Sequence, residues 1–168
     1  MDTQHKDLTL GRLPAYHAYP PDGGVHPGLI VIHEIWGLTD HIKDVADRFA
    51  QAGYSVVAPN LFYGMPFEGK IDQSLLQEMH DPQKRDEAQK KMREVMAPIS
   101  VPEFAAQAVA DLKRCLDYLS ADRGVNGKVA VLGFCFGGSY AYHLAAQDAR
   151  IQAAVPFYGQ PPTYEDVG

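Results

Sequence analysis

The chain has 168 residues, 46% of them hydrophobic and 21% charged, which suits one globular domain with a core of useful size. Its net charge of −6, with lysine and arginine scattered along the chain, argues against a nucleic-acid partner. Two cysteines make no disulfide framework, no apolar run approaches membrane-spanning length and no apolar leader follows Met1, so a reducing, cytoplasmic setting without membrane contact is expected.

Residues 1–27 are polar, with alternation at Leu8–Leu10 and Ala15–Tyr19. They read as one or two antiparallel edge strands, followed by a turn at Pro20–Gly24. Leu29-Ile-Val-Ile-His33 is a continuous apolar strand of the kind buried on both faces of a parallel sheet. Glu34-Ile-Trp-Gly-Leu38 leaves its end as a loop. Asp40 is the predicted N-cap of a helix with Ile42, Val45, Ala46, Phe49 and Ala50 on one face, closed by Gly53. Tyr54–Ala58 is the next strand, so residues 29–58 predict a strand–helix–strand unit with parallel strands and a right-handed crossover.

Residues 59–80 read as a long loop. Asp81-Pro82 is predicted to open a helix, with Ala88, Met92, Val95 and Met96 on its apolar side and Pro98 as its stop. Its charges are mixed in sign, as on a solvated face. Ser100-x-x-Glu103 reads as a capping box for a long amphipathic helix carrying Phe104, Ala108, Leu112, Cys115, Leu116 and Leu119. Cys115 lies on the apolar side of that helix and reads as a core residue.

The chemistry concentrates at Val129–Ser139. An apolar strand breaks at Gly133, and a small-residue helix begins at about Gly137. Between them stands Gly133-x-Cys135-x-Gly137, the nucleophile-elbow spacing with sulfur in place of a hydroxyl. A strand that turns into a helix so quickly strains its central residue and exposes that side chain over the first turn of the helix. The positive helix end favours negative charge there, and the N–H of Phe136 becomes an oxyanion donor. Ala153–Tyr158 reads as one more strand, followed by a Pro161-Pro162 loop.

Val31-Ile-His-Glu-Ile-Trp-Gly37 and Gly133-Phe-Cys-Phe-Gly-Gly138 together resemble the dienelactone hydrolase (carboxymethylenebutenolidase) family, a branch of the α/β-hydrolase fold. The resemblance runs over nearly the whole chain. It implies a single α/β domain spanning 1–168, with a mostly parallel sheet, helices on both faces, and the C-terminal strands missing. It implies Cys135 as nucleophile and the backbone N–H groups of Ile35 and Phe136 as oxyanion hole. Glu34 would contact the resting thiol. Trp36, Tyr158 and Arg85 would belong to the substrate pocket, although Ala88 stands where dienelactone-specific members carry an arginine. His33 reads as a strand-end histidine satisfied by local hydrogen bonds. The expected substrate is a small ester or lactone, with no metal and no organic cofactor.

A thiol hydrolase of this kind also needs a histidine base and an acid to orient it, in the chain order nucleophile, acid, histidine. His143 and Asp148 sit on or beside the elbow helix, and no histidine follows Asp166. The chain therefore reads as the amino-terminal portion of such an enzyme, inactive in turnover by itself. Its expected partner is its own missing portion or a second copy, pairing at the edge strand 153–158. A glutaminase-type cysteine amidohydrolase and a non-catalytic fragment or pseudoenzyme are the alternatives.

Overall fold

A computed structural model of the chain describes residues 3–66 and 73–161. Its centre is one six-stranded sheet. The strands are β1 (Gln4–Leu10), β2 (Leu13–Tyr19), β3 (His26–Ile32), β4 (Ser55–Pro59), β5 (Val125–Phe134) and β6 (Ile151–Phe157), in spatial order β1-β2-β4-β3-β5-β6. β1 pairs antiparallel with β2, and β2 antiparallel with β4. β3 runs parallel to both β4 and β5, and β5 runs parallel to β6. The antiparallel β1 and β2 and the parallel pairing of β3 with β4 are as predicted, but only β1 is an edge strand: β2 is an interior strand between β1 and β4, mostly buried.

The apolar runs of β3 and β5 follow from coverage on both faces. Successive strand side chains point to opposite sides. Ile30 and Ile32 of β3, with Val129 and Val131 of β5, enter one core, while Leu29, Val31 and Leu132 enter the other. The first core is closed by α4 (Pro102–Ala121) and α5 (Phe136–Gln147), which contribute Phe104, Leu112, Cys115, Leu116, Ala141 and Leu144. The second is closed by α1 (Asp40–Gln51) through Ile42, Val45, Ala46 and Ala50. Every apolar position foreseen for α4 is buried.

Helix starts differ from expectation, each for a local reason. Thr39, in extended conformation, caps α1 without a side-chain hydrogen bond, and Asp40 is the first helical residue. Asp81-Pro82 makes a turn instead of a cap. The Asp81 carboxylate accepts the N–H of Gln83 at 2.9 Å, its carbonyl accepts those of Lys84 and Arg85, and α3 (Arg85–Met96) begins only afterwards. Ser100 is not a capping-box residue either. Its hydroxyl donates back to the carbonyl of Met96 at 2.9 Å, leaving Val101 as cap and Pro102, with its preset φ, as the first helical residue. The 59–80 segment, read as loop, contains α2 (Gln73–His80). Part of that segment, Pro162 and Asp166 lie outside the described residues.

A buried hydrogen-bonded trio ties the sheet to α4 at the end remote from the elbow. His17 bonds Ser55 Oγ through Nε2 at 2.9 Å and the Tyr118 hydroxyl through Nδ1 at 3.1 Å. Burial holds His17 neutral, its pKa pushed down to about 4 from 6.5.

Candidate active site

Three parallel strands end side by side at one edge of the sheet. β3 leads into Glu34 and Ile35, β5 into Cys135, and β6 into Tyr158. β3 has its sequence neighbour β4 on one side and β5 on the other, so the direction of winding changes beside it. In open α/β sheets that crevice, at the carboxyl ends of the strands, is where ligands bind.

Cys135 stands between β5 and α5 with φ 54° and ψ −114°. A non-glycine residue in that region costs of order 1–3 kcal/mol and persists only where its surroundings impose it. The surroundings are glycines. A Cβ on Gly133 would lie 2.0 Å from the carbonyl oxygen of Gly137, and one on Gly137 would lie 2.3 Å from that of Ile32. The Cys135 N–H donates to the Phe157 carbonyl at 2.9 Å, which ties the elbow to the end of β6. The thiol is partly exposed, whereas Cys115 is fully buried and burial drives its pKa well above the ordinary thiol value.

The Glu34 loop is a tight turn. Gly37, at φ +79°, donates its N–H to the Glu34 carbonyl at 3.2 Å. His33, 0% exposed, accepts the Leu61 N–H at Nε2 (3.0 Å) and bonds the Glu34 carbonyl through Nδ1 (2.6 Å). Its ring stacks on Phe136 at 5.8 Å and meets Phe62 edge-on at 4.7 Å. Burial pushes its pKa down to about 4, so it is neutral at physiological pH. The sequence reading of His33 as a hydrogen-bonded strand-end histidine agrees with this geometry, but only the Glu34 partner is local; Leu61 comes from another segment.

Tyr158 is held in a left-handed conformation, φ 43°, and is 68% exposed. Its hydroxyl donates to the Glu34 carboxylate at 2.9 Å. Partial burial, the Glu34 bond and negative charge at Glu34 and Cys135 push its pKa up to about 12, so it remains a donor at neutral pH. The bond spans the ends of two strands far apart in sequence, and nothing local in the chain announces it. The only available signal was an aromatic residue before a glycine at a strand end. Gly159 packs so closely that a Cβ there would meet the Gly138 backbone at 2.3 Å.

The structure thus brings Cys135, Glu34, Ile35, Phe136 and Tyr158 to one edge. Trp36 lies half-buried in the turn beside Glu34. Arg85 is exposed at the start of α3, and among the described residues it makes no hydrogen bond or ion pair with Glu34, Cys135 or Tyr158. Ala88 is fully buried and faces the protein interior. An aromatic wall that sequence reasoning did not foresee surrounds Phe136, with Phe62 at 4.9 Å and Tyr140 at 4.6 Å. Among the described residues no histidine is hydrogen-bonded to Cys135. His143 lies against Tyr140, and Asp148 is engaged by Arg150. No group of three or more His, Cys, Asp or Glu that could hold a metal occurs among the described residues.

A doubly covered, mostly parallel sheet with a strained strand-to-helix turn at the end of β5 has the architecture of the α/β-hydrolases. The dienelactone hydrolase family profile matches residues 13–167, and the chain belongs to that family. It is 32% identical over 151 residues to a carboxymethylenebutenolidase homologue of Methylorubrum extorquens, covering 89% of this chain and 46% of that protein. It is 36% identical over 154 residues to "Protein usf" of Aquifex pyrophilus, covering 89% of this chain and 58% of that protein. Among solved structures, a dienelactone hydrolase homologue of Klebsiella pneumoniae superposes with a TM-score of 0.74 at 28% identity, covering 97% of this chain and 62% of its own. The chain spans about half the length of the curated relatives it matches. No helix among the described residues is long and apolar enough to cross a membrane.

Proposed function

We propose that the chain carries the nucleophile and oxyanion-binding part of a cysteine hydrolase acting on lactones or small carboxylic esters. The observation that carries the reading is Cys135 itself: a partly exposed thiol in a strained conformation at the first turn of α5, beside the end of β3. In the proposed reaction Cys135 Sγ, as thiolate, bonds to the ester carbonyl carbon. The carbonyl π pair moves onto oxygen, where the N–H groups of Ile35 and Phe136 receive the negative charge. Collapse re-forms the carbonyl and breaks the carbon–oxygen bond. The alcohol leaves with a proton from solvent, and a thioester remains on Cys135. Water then cleaves the thioester, returning the thiol and releasing the acid. Trp36 and Tyr158 flank the substrate, and Arg85 is the candidate contact for a carboxylate on it.

Rapid hydrolysis of the thioester needs a base. The buried His33 has both ring nitrogens engaged, and His143 lies on α5 against Tyr140. The 168-residue chain is therefore expected to acylate once and not turn over. Two unpaired thiols suit a reducing cytoplasmic compartment.

The test is a burst assay with p-nitrophenyl acetate. One equivalent of p-nitrophenol per chain, an acetyl adduct on Cys135 by mass spectrometry, and loss of both in Cys135→Ala are expected. Iodoacetamide is expected to alkylate Cys135 alone in the folded protein and both cysteines in urea. Equal native labelling of Cys115, or a burst that survives Cys135→Ala, would sink the reading. Glutamine turnover would move the assignment to an amidohydrolase, and absence of any adduct would move it to a non-catalytic role.

A further inference from the structure

We propose that His33 is the positioning residue of the oxyanion hole: by gripping the Glu34 carbonyl it aims the Ile35 N–H into the space in front of Cys135. The inference rests on the hydrolase reading above and adds to it the group that sets the hole's geometry.

The first step is the tautomer. The Leu61 backbone N–H can only donate, and it donates to His33 Nε2 at 3.0 Å. Nε2 is therefore the unprotonated nitrogen, and the proton sits on Nδ1. Nδ1–H in turn donates to the Glu34 carbonyl at 2.6 Å.

The second step is the peptide plane. Glu34 C=O and Ile35 N–H belong to the same peptide unit. No cis peptide bond occurs in the described chain, so the two bonds point in opposite directions. A carbonyl drawn inward to a fully buried ring therefore sends the N–H outward, toward the edge where β5 ends in Cys135. Among the described residues the Ile35 N–H donates to no backbone carbonyl, so it is free to receive a ligand oxygen. The Gly37 N–H adds a second donor to the Glu34 carbonyl at 3.2 Å.

The third step is rigidity. Rotating this peptide by half a turn would leave the buried Nδ1–H without its acceptor, and a buried donor without a partner is disfavoured. The ring itself cannot follow, because it is held between Phe62 and Phe136 and pinned by Leu61. Phe136 supplies the other proposed oxyanion donor, so one imidazole braces both sides of the hole. Nothing here requires His33 to touch substrate or carry a proton in the reaction.

The experiment compares two reactions of the same thiol. Acylation by p-nitrophenyl acetate passes through an oxyanion. Alkylation by iodoacetamide does not, so the ratio of the two rates isolates the hole from the reactivity of sulfur. The variants are His33→Gln and His33→Asn. The Asn amide nitrogen takes the place of Nδ1 and keeps the donor to Glu34. The longer Gln side chain keeps the Leu61 contact and loses that donor. His33→Gln is expected to lower the acylation-to-alkylation ratio by about 10²-fold, the usual effect of losing one oxyanion donor, and His33→Asn to restore it. A ratio unchanged in His33→Gln, or lowered equally in both variants, would overturn the positioning role while leaving the hydrolase reading intact. A wild-type ratio no higher than that of free glutathione would mean that the hole does not act, and both would fall. Ring ¹⁵N shifts of His33 in the wild-type chain supply a readout independent of any variant. The Nδ1–H tautomer supports the proposal, and the Nε2–H tautomer overturns it.

Discussion

Acid should destabilise this protein as pH falls from 6.5 toward 4, and two buried histidines set the size of the effect. His33 and His17 have pKa values pushed down to about 4 from 6.5, His33 by burial alone against two favourable backbone bonds, His17 by burial and the nearby Lys6. A histidine held neutral by the fold takes up a proton when the chain unfolds. Its contribution is complete above pH 6.5 and is lost as pH falls toward 4. At 1.36 kcal/mol for each tenfold change in proton affinity, His33 alone accounts for about 3 kcal/mol across that window. His17 adds to it, less than in full because Lys6 and Asp122 beside it are screened by solvent. Near pH 5 the unfolded chain holds almost two more protons than the folded one. Stability should therefore fall by about 2 kcal/mol per pH unit there, a large share of a typical domain's total. The low-pKa carboxylates Asp22 and Asp148 act in the same direction but only at more acidic pH, so they do not blur the slope at pH 5. Urea titrations at pH 7, 6, 5 and 4.5, followed by far-UV circular dichroism, measure it directly. A midpoint independent of pH from 7 to 5 would refute the reasoning, because it would mean that neither imidazole is held neutral by the fold.

Two further outcomes follow from the elbow and the edge beside it. Gly133→Ala places a methyl group 2.0 Å from the Gly137 carbonyl, where both neighbours are backbone, so we expect a loss of about 3 kcal/mol or more, read as a lowered urea midpoint; an unchanged midpoint would show the turn to be looser than described. Tyr158→Phe removes one partly exposed hydrogen bond to Glu34 and should change stability by less than about 1 kcal/mol, yet slow acylation of Cys135 by releasing the carboxylate; a large stability loss with normal acylation would make the bond structural instead.

What the sequence disclosed and what it hid divide along the distance between interacting groups. β3, β4 and β5 were legible because burial on both faces leaves an uninterrupted apolar run, and Ile30 and Val31 facing opposite cores is the reason for that run. The elbow was legible because part of its constraint is local: a Cβ on Gly133 would meet the Gly137 backbone four residues on, so the spacing records that contact, whereas Gly137 is required by the Ile32 carbonyl of β3. The caps were misread for a related reason. Ser100 can satisfy its hydroxyl forward or backward along the chain, and the Met96 carbonyl took it, a choice that composition does not encode. α2 was missed because eight mostly polar residues carry little periodicity.

The arrangement of the site belongs to the hidden class. Tyr158 meets Glu34 only because β6 and β3 end at the same edge, on either side of β5. His33 orients the Glu34 peptide only because Leu61 supplies an amide to the far side of its ring. Both histidine nitrogens are settled by a residue on another segment, so a sequence can mark His33 as satisfied without saying which nitrogen holds the proton. In the proposed hole that single assignment decides whether the Glu34 carbonyl turns inward, and with it whether this peptide presents the Ile35 N–H or the Glu34 carbonyl oxygen to an incoming ester. The proposed nucleophile is therefore written in a short motif, while its proposed action on a carbonyl depends on a tautomer that only the folded chain fixes.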